Sequence, residues 1–197
     1  MRPRDHLPLL LVATIFAGVL VSAQPTRPGS VKCREVRFNL VSVPGTAARW
    51  YEADVELEAR AIGGNTTFID RVKVTLNLGT RVLGGSRRYY RSSMEAVALD
   101  SGPAHFRFYL PPEVVKRDGV GGEAEFWSVR VEVGGEVVPE TARNLSPTLR
   151  EAARRRDFEG EIAREAPAND GVLVPQHLTP FAAAYPGATP TAVRRSE

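Results

Sequence analysis

Hydrophobic and polar residues alternate along most of the chain between Cys33 and Val138. The clearest run is residues 50–60, WYEADVELEAR, in which nearly every second residue is apolar and most of the others are charged. Similar alternation is centred on Phe38, Val74, Phe108 and Val131. A period of two is typical of β-strands that bury one face and expose the other. The pattern therefore predicts a predominantly β protein.

Turn residues separate these runs, for example at Gly84-Gly85 and Gly134-Gly135. A weaker strand near Tyr89–Leu99 and a short edge at Val137-Val138 bring the count to about seven strands. Short strands at this spacing favour an all-β, immunoglobulin-like antiparallel β-sandwich over a barrel. Between two of them, Pro111–Asp118 predicts a short helix with proline in its first turn.

After Glu140 the pattern changes to that of a helix. Ser146-Pro147 is a favourable start, and the following residues are densely charged. Phe158 and Ile162 fall on a different helical face from Leu149, which predicts a bend near Gly160. From Pro167 onward, prolines and small residues surround a few apolar positions, which predicts an extended tail with apolar anchors.

The N-terminal residues have the pattern of an export signal. A basic start precedes the apolar run 9–21 and a Val21-Ser22-Ala23 cleavage site, so we expect cleavage after Ala23. At about 1.5 Å per residue this run covers roughly 20 Å, less than the ~30 Å hydrocarbon core of a bilayer. We expect no transmembrane segment after cleavage, and a periplasmic or cell-surface location.

The predicted organisation has five parts. They are the signal peptide 1–23, a linker 24–31, the sandwich 32–140, a charged helix 141–166 and a proline-rich tail 167–197.

Charge and cysteine content exclude two classes of protein. The chain has 26 basic and 23 acidic residues, and cleavage would remove Arg2, Arg4 and Asp5 and leave a formal charge of +2. That is too little for a nucleic-acid binder. A single cysteine, Cys33, excludes an internal disulfide framework. We expect a lone thiol at the start of the first strand, with pairing to another chain as the alternative.

Few residues suit catalysis or metal binding. The acidic row Glu52, Asp54, Glu56 and Glu58 has the composition of a glycosidase carboxylate pair or a calcium site, but a solvated sheet face explains it more simply. His105 and His177 are the two histidines after the signal peptide, and we expect both to be exposed. With one cysteine and no zinc motif, we predict no metal, no cofactor and no enzyme activity.

Three groups are candidate binding surfaces. Arg87, Arg88 and Arg91 stand beside Tyr89 and Tyr90, a mixture that fits either a hairpin surface or a site for a glycan or acidic polymer. The triplet Arg154, Arg155 and Arg156 forms a charged helix face, for which an acidic protein or membrane surface is the functional interpretation. In the tail, Phe181 and Tyr185 are candidate partner contacts.

Several stretches in order resemble one family. They are Trp50 at the head of its strand, residues 106–112 (FRFYLPP) before a short helix, the strand 128–133 (SVRVEV) and the late 179–182 (TPFA). Together they resemble the exported, immunoglobulin-like, pilus-associated proteins of the Verrucomicrobia, of the kind found in Akkermansia. The resemblance implies a non-enzymatic module in the periplasm or at the cell surface that contacts envelope or pilus-assembly proteins. An Arg-rich helix and a proline-broken C-terminus depart from that family.

Two functions from different classes stay open at this point. One is an envelope protein-binding or assembly module, associated with a type IV pilus or a related secretion system. The alternative is a secreted carbohydrate-binding or enzyme-accessory sandwich that uses Tyr89, Tyr90 and the acidic strand. A subunit that polymerises by strand donation is a third possibility, although a pilin-type N-terminal helix is missing.

Overall fold

The computed structural model describes residues 29–62, 67–82, 84–185 and 187–191. The predicted signal peptide lies outside these residues. The strands, in chain order, are β1 (Ser30–Ser42), β2 (Arg49–Arg60), β3 (Phe68–Arg81), β4 (Arg87–Asp100), β5 (Gly102–Leu110), β6 (Phe126–Val133), β7 (Glu136–Val137) and β8 (Val174–Pro175). The two α-helices are α1 (Pro112–Asp118) and α2 (Ala152–Glu165).

These strands form two antiparallel sheets of four strands. Sheet 1 has the order β1-β2-β5-β8 and sheet 2 the order β4-β3-β6-β7. The pairings β1-β2-β5 and β3-β6-β7 correspond to the A-B-E and C-F-G strands of an immunoglobulin fold. The predicted immunoglobulin-like antiparallel sandwich is therefore confirmed. The described residues contain eight strands rather than about seven, because β8 forms inside the predicted tail.

The core lies between the sheets and is built from the alternating apolar positions. On β2, Val55, Leu57 and Ala59 are fully buried, and Leu76 and Leu78 of β3 face them from the other sheet. Helix α1 connects β5 to β6 as predicted, and it ends where Gly119 adopts a left-handed conformation with φ of 65°. Hydrophobic alternation in the sequence therefore identified the buried face of these strands.

The segment from residue 141 to 191, which we name the C-terminal strap, wraps around the sandwich. It begins beside β1, where the Cys33 thiol donates to the carbonyl of Arg143 at 3.3 Å. Helix α2 then crosses the outer face of sheet 2. At the edge of sheet 2, the Asn169 side chain donates to the carbonyl of Tyr89 on β4. Strand β8 pairs with β5, and the remainder covers the outer face of sheet 1.

The helix differs from its predicted form in its start and its phase. Pro147–Arg150 is a 3₁₀ turn, and α2 begins only at Ala152. The reason is that the Ser146 amide donates to the carbonyl of Trp127, which holds this segment on β6. The chain changes direction at Glu151, between the 3₁₀ turn and α2. Leu149, Phe158 and Ile162 therefore pack in one buried cluster. The predicted separate faces are wrong, and α2 continues through Gly160.

Within the part of the chain that the structure describes, no helix combines the length and apolar character needed to cross a bilayer.

Candidate functional site

Helix α2 carries the arginine triplet and is fixed to sheet 2 by aromatic contacts. Its buried Phe158 packs against Phe126, with ring centroids 6.4 Å apart, and against Tyr89 at 6.0 Å. Sheet 2 accepts the ring because Gly79 has no side chain, and a Cβ there would lie 3.2 Å from the Phe158 ring. Docking therefore leaves Arg154 and Arg156 exposed, whereas Arg155 is half-buried.

The three arginines lie in the first half of α2. Arg154 is exposed and contacts Glu151 at 3.0 Å, Arg155 lies 3.6 Å from Glu140, and Arg156 is exposed. Helix α2 has no acidic residue in its first turn. Cations near a helix N-terminus oppose the helix dipole, so local helix stability does not explain this triplet. Exposed Arg154 and Arg156, with the half-buried Arg155, give α2 an arginine-bearing surface over the outer face of sheet 2.

The tail holds its two aromatic residues in different environments. Phe181 is buried, stacked on Tyr109 with centroids 4.7 Å apart and edge-on to Trp50 at 5.8 Å. Tyr185 is 42% exposed, and the Arg107 guanidinium lies 4.1 Å from its ring centroid. Phe181 is thus an internal anchor of the strap, whereas Tyr185 presents one side to solvent. That either residue contacts a partner stays a prediction.

A buried glutamine organises the tail over sheet 1. The Gln176 amide nitrogen donates to the carbonyls of Phe181 and Ala184, both at 2.9 Å. Its amide oxygen accepts a hydrogen bond from Thr189, and the Thr189 hydroxyl accepts one from Arg107. This chain of contacts links the tail to β5 through side chains as well as through the short β8 ladder.

Beneath the tail lies a group of polar residues that we name the buried charge cluster: Glu52, Asp54, His105, Arg107 and Tyr109. The Tyr109 hydroxyl donates to Glu52 at 2.6 Å. A ring nitrogen of His105 lies 2.9 Å from Asp54, and Arg107 lies 3.6 Å from the same carboxylate. The tail and the neighbouring strands exclude water from these carboxylates.

The cluster corrects two expectations from the sequence. Glu52 and Asp54 are only 5% and 7% exposed, so the acidic row is not a solvated face at that end. Glu56 and Glu58, further along β2, are half-buried. His105 is half-buried and contacts Asp54 rather than standing exposed. His177 is half-buried as well. Sequence alternation gives the face of each residue but cannot show that the strap covers it.

Burial dominates the electrostatics of the cluster. Loss of hydration raises the pKa of Glu52 above its ordinary value, the neighbouring Asp54 adds to this, and Tyr109 and Arg107 oppose it. The pKa of Tyr109 is raised by burial and then by its bond to Glu52. Burial also raises the pKa of Tyr185. The carboxylates are therefore held by internal partners under the tail.

The aromatic pair Tyr89 and Tyr90 does not form an exposed stacking surface. Tyr90 is fully buried, its hydroxyl donates to Asp118 at 2.8 Å, and burial followed by this bond raises its pKa to about 12. Tyr89 is covered by Phe158. A hydrogen bond from Arg117 lowers the pKa of Asp118. The hairpin-surface interpretation is wrong for both rings, and neither offers a face to a sugar.

The structure separates the predicted contact residues into two groups. Arg154, Arg155 and Arg156 lie on the outer face of sheet 2, whereas Phe181 and Tyr185 lie on the outer face of sheet 1. Residues Arg107 and Tyr109 were missed from the sequence, although their alternation with Phe106 and Phe108 places them on the outer face of β5. Pairing of β5 with β2 then puts them beside Glu52 and Asp54.

Comparisons with known proteins show the fold and no family. No family model matches the chain, and no curated protein matches it. Among solved structures, the crystal structure of a protein from Akkermansia muciniphila is similar, with a TM-score of 0.70 and 17% sequence identity. The match covers 88% of this chain and 98% of that chain. At this identity the likeness shows a shared β-sandwich, and pilus association stays a prediction.

Proposed function

We propose that the chain is a non-enzymatic envelope protein-binding or assembly module, associated with a type IV pilus or a related secretion system. The observation that carries this proposal is the pair of exposed strap surfaces on opposite faces of one sandwich. One is the arginine-bearing surface of α2, and the other is the region around Tyr185. A module with two separate faces suits assembly, because each face can contact a different protein.

Three further observations support this proposal. The N-terminal signal pattern predicts export. The fold is shared with a protein from Akkermansia muciniphila, in line with the sequence resemblance. Tyrosine and arginine are among the residues that most often dominate the energy of protein interfaces. The α2 surface presents arginines, and the other strap surface presents Tyr185. The buried positions of Tyr89 and Tyr90 weigh against the carbohydrate-binding alternative in the form that relied on them.

The test is a pull-down from envelope extract with residues 24–197 as bait and identification of bound proteins by mass spectrometry. We compare the wild type with Tyr185→Ala and with the triple change of Arg154, Arg155 and Arg156 to Glu. Point changes are preferable to removal of the tail, since truncation would uncover the buried charge cluster. Arg164→Glu is the matched control, because it lies on the same helix and is also exposed.

We expect the wild type and the Arg164 control to recover pilus or secretion components. Each of the other variants should lose some of them, and the two sets of lost proteins should differ because the surfaces face opposite directions. Recovery of the same proteins by all variants would contradict the assignment of these surfaces. Absence of pilus and secretion components from the wild-type sample would contradict the proposal itself.

A further inference from the structure

Among the described residues each sheet ends in two edge strands, and three of these four edges are protected. Strands β7 and β8 have two residues each, too few to offer a ladder to another chain. Strand β1 has a bulge between Cys33 and Glu35, and the Arg143 guanidinium donates to the carbonyl of Arg34. The fourth edge, β4, has 14 residues and contains no proline. It is therefore the edge best suited to pair with another strand.

The backbone of β4 points a row of polar groups toward its open edge. The Asn169 side chain, which lies beyond this edge, donates to the carbonyl of Tyr89. The N–H and C=O of one strand residue point to the same side, and that side alternates along the strand, so Arg91 and Ser93 also point outward. Within the described ranges β3 is the only strand beside β4, and neither residue makes a loop hydrogen bond through its backbone. These donors and acceptors can therefore bind a strand from outside.

Side chains along the same stretch limit which strand fits. Arg91 and Ser93 are exposed on the outer face of sheet 2, and Glu95 is half-buried on the same face. The Arg91 guanidinium donates to the uncharged Asn77, and within the described residues it has no carboxylate partner. Glu95 contacts Arg71 at 3.1 Å. Since like charges directly opposite each other destabilise a strand pair, the best partner has an acidic residue opposite Arg91 and a basic one opposite Glu95.

A second copy of β4 meets this requirement. When two copies pair antiparallel about a twofold axis at Ser93, Arg91 of each copy lies opposite Glu95 of the other. An axis at Arg91 or at Glu95 would instead place that residue opposite its own copy, with like charges in contact. The sequence of β4 is therefore complementary to itself in the register centred on Ser93.

We propose that β4 pairs with β4 of a second copy of this chain, with the twofold axis at Ser93. The two four-stranded sheets then join into one continuous sheet. Arg91, Ser93 and Glu95 of the two copies supply about six backbone hydrogen bonds. Val97, which is 52% exposed, comes opposite Tyr89 at the end of the ladder. The dimer does not depend on the assembly function.

The first test is sedimentation equilibrium of residues 24–197. Because the ladder is short, we expect a monomer–dimer equilibrium with a dissociation constant of about 10 μM. Species larger than a dimer are not expected, since a twofold contact closes on itself. A wild type that stays monomeric up to about 1 mM would overturn the proposal.

Charge reversal tests the register. Arg91→Glu places glutamate opposite glutamate, and Glu95→Arg places arginine opposite arginine, so each variant alone should dimerise about tenfold more weakly. An equimolar mixture of the two variants restores both ion pairs and should dimerise as the wild type does. Recovery requires both variants to be folded, which separates loss of pairing from loss of structure. A mixture that associates no better than either variant alone would overturn the proposed register.

Arg130→Glu is the matched control for charge. Arg130 is exposed on β6, inside the same sheet and away from the β4 edge, and it contacts Glu132 at 3.1 Å. The substitution alters the net charge as much as Arg91→Glu does and should leave the dissociation constant unchanged. Equal weakening by both substitutions would assign the effect to net charge and contradict the proposed contact.

Cysteine substitution locates the axis. Opposite residues that exchange both backbone hydrogen bonds have Cα atoms about 5.5 Å apart, a distance that a disulfide spans. Ser93→Cys should therefore form a disulfide-linked dimer under mild oxidation. In Val97→Cys the two thiols would be roughly 27 Å apart at ~3.4 Å per residue, so no link is expected. The native Cys33 is buried, which raises its pKa to about 12 and slows its reaction. Equal linking of both variants, or of neither, would overturn the proposal.

Discussion

The two outer faces of the sandwich are covered by the same strap but in different ways. Helix α2 covers sheet 2 through Phe158 and Ile162, which are buried in one cluster with Leu149 of the preceding 3₁₀ turn and with aromatic rings. The tail covers sheet 1 through one aromatic stack and a set of ionisable groups. Burial of apolar side chains stabilises the folded state without a requirement for exact geometry. Buried charges stabilise it little unless each has a partner. The helix is therefore the stronger attachment, and the tail is the more sensitive to pH and sequence change.

The largest expected effect is on the helix side. Phe158→Ala should lower the free energy of unfolding by about 3 kcal/mol, the lower part of the range for a buried phenylalanine. The measurement is urea unfolding followed by circular dichroism. Glu159→Ala, exposed on the same helix, is the control and should change stability by less than about 0.5 kcal/mol. A Phe158→Ala loss as small as the control's would mean that α2 is held by other contacts.

Next in size is a local effect on the tail. Phe181→Ala removes the stack on Tyr109 and should favour opening of the tail by about 2 kcal/mol. The amide of His105 reports this directly, because it donates to the carbonyl of Ala188 in the tail. Hydrogen exchange at that amide should accelerate, while amides of β3 keep their protection.

Leu178→Ala serves as the comparison for the tail, since Leu178 is in the same segment but about half-exposed. It should leave exchange at His105 nearly unchanged. If Phe181→Ala accelerated exchange equally in β3, the tail and the core would unfold as one unit.

A smaller effect, the dependence of stability on pH, should distinguish the tail side of the sandwich from the helix side. Because burial raises the pKa of Glu52, its contribution to stability is full below the ordinary value of 4.5 and is lost as pH rises through the folded-state pKa. Glu52→Gln keeps an acceptor for Tyr109 without the charge. The stability of the variant relative to the wild type should therefore increase between pH 4 and pH 7, as measured by urea unfolding at each pH.

Glu58→Gln, on the same face of β2 but half-exposed, is the reference for this pH experiment. A parallel pH response of wild type and Glu52→Gln would show that the carboxyl of Glu52 does not carry the effect.

The smallest effect is expected at the arginines. Arg154→Ala breaks an exposed contact with Glu151 and should change the free energy of unfolding by about 0.5 kcal/mol or less. Thermal unfolding is the measurement. A large loss would make Arg154 part of the attachment of α2, and its proposed role in partner binding would lose its basis.

The same contrast explains how far the sequence alone predicts this molecule. Alternation identified β2 and β6 because a strand with one buried face repeats every second residue, whatever lies beyond it. Alternation did not predict the burial of Glu52 and His105, because their environment depends on residues such as Phe181 that are distant in sequence. The helical pattern also gave the wrong face for Leu149, because a backbone hydrogen bond from the Ser146 amide to the Trp127 carbonyl interrupts the helix.

The candidate site was predictable only in part. The arginine triplet and Tyr185 follow from composition, and Arg154, Arg156 and Tyr185 lie at the surface, whereas Arg155 is half-buried. The buried charge cluster needs the β2–β5 register and the position of the tail, which no local pattern contains.

The strap also determines the order in which the molecule can be completed during folding. The contact of Cys33 with Arg143 joins residues 110 positions apart, and that of Arg107 with Thr189 joins residues 82 positions apart. Such contacts form late, because a long loop must close before they are gained. Until β8 has docked, β5 therefore has an open edge. That interval is the stage at which strands of two incompletely folded copies can exchange.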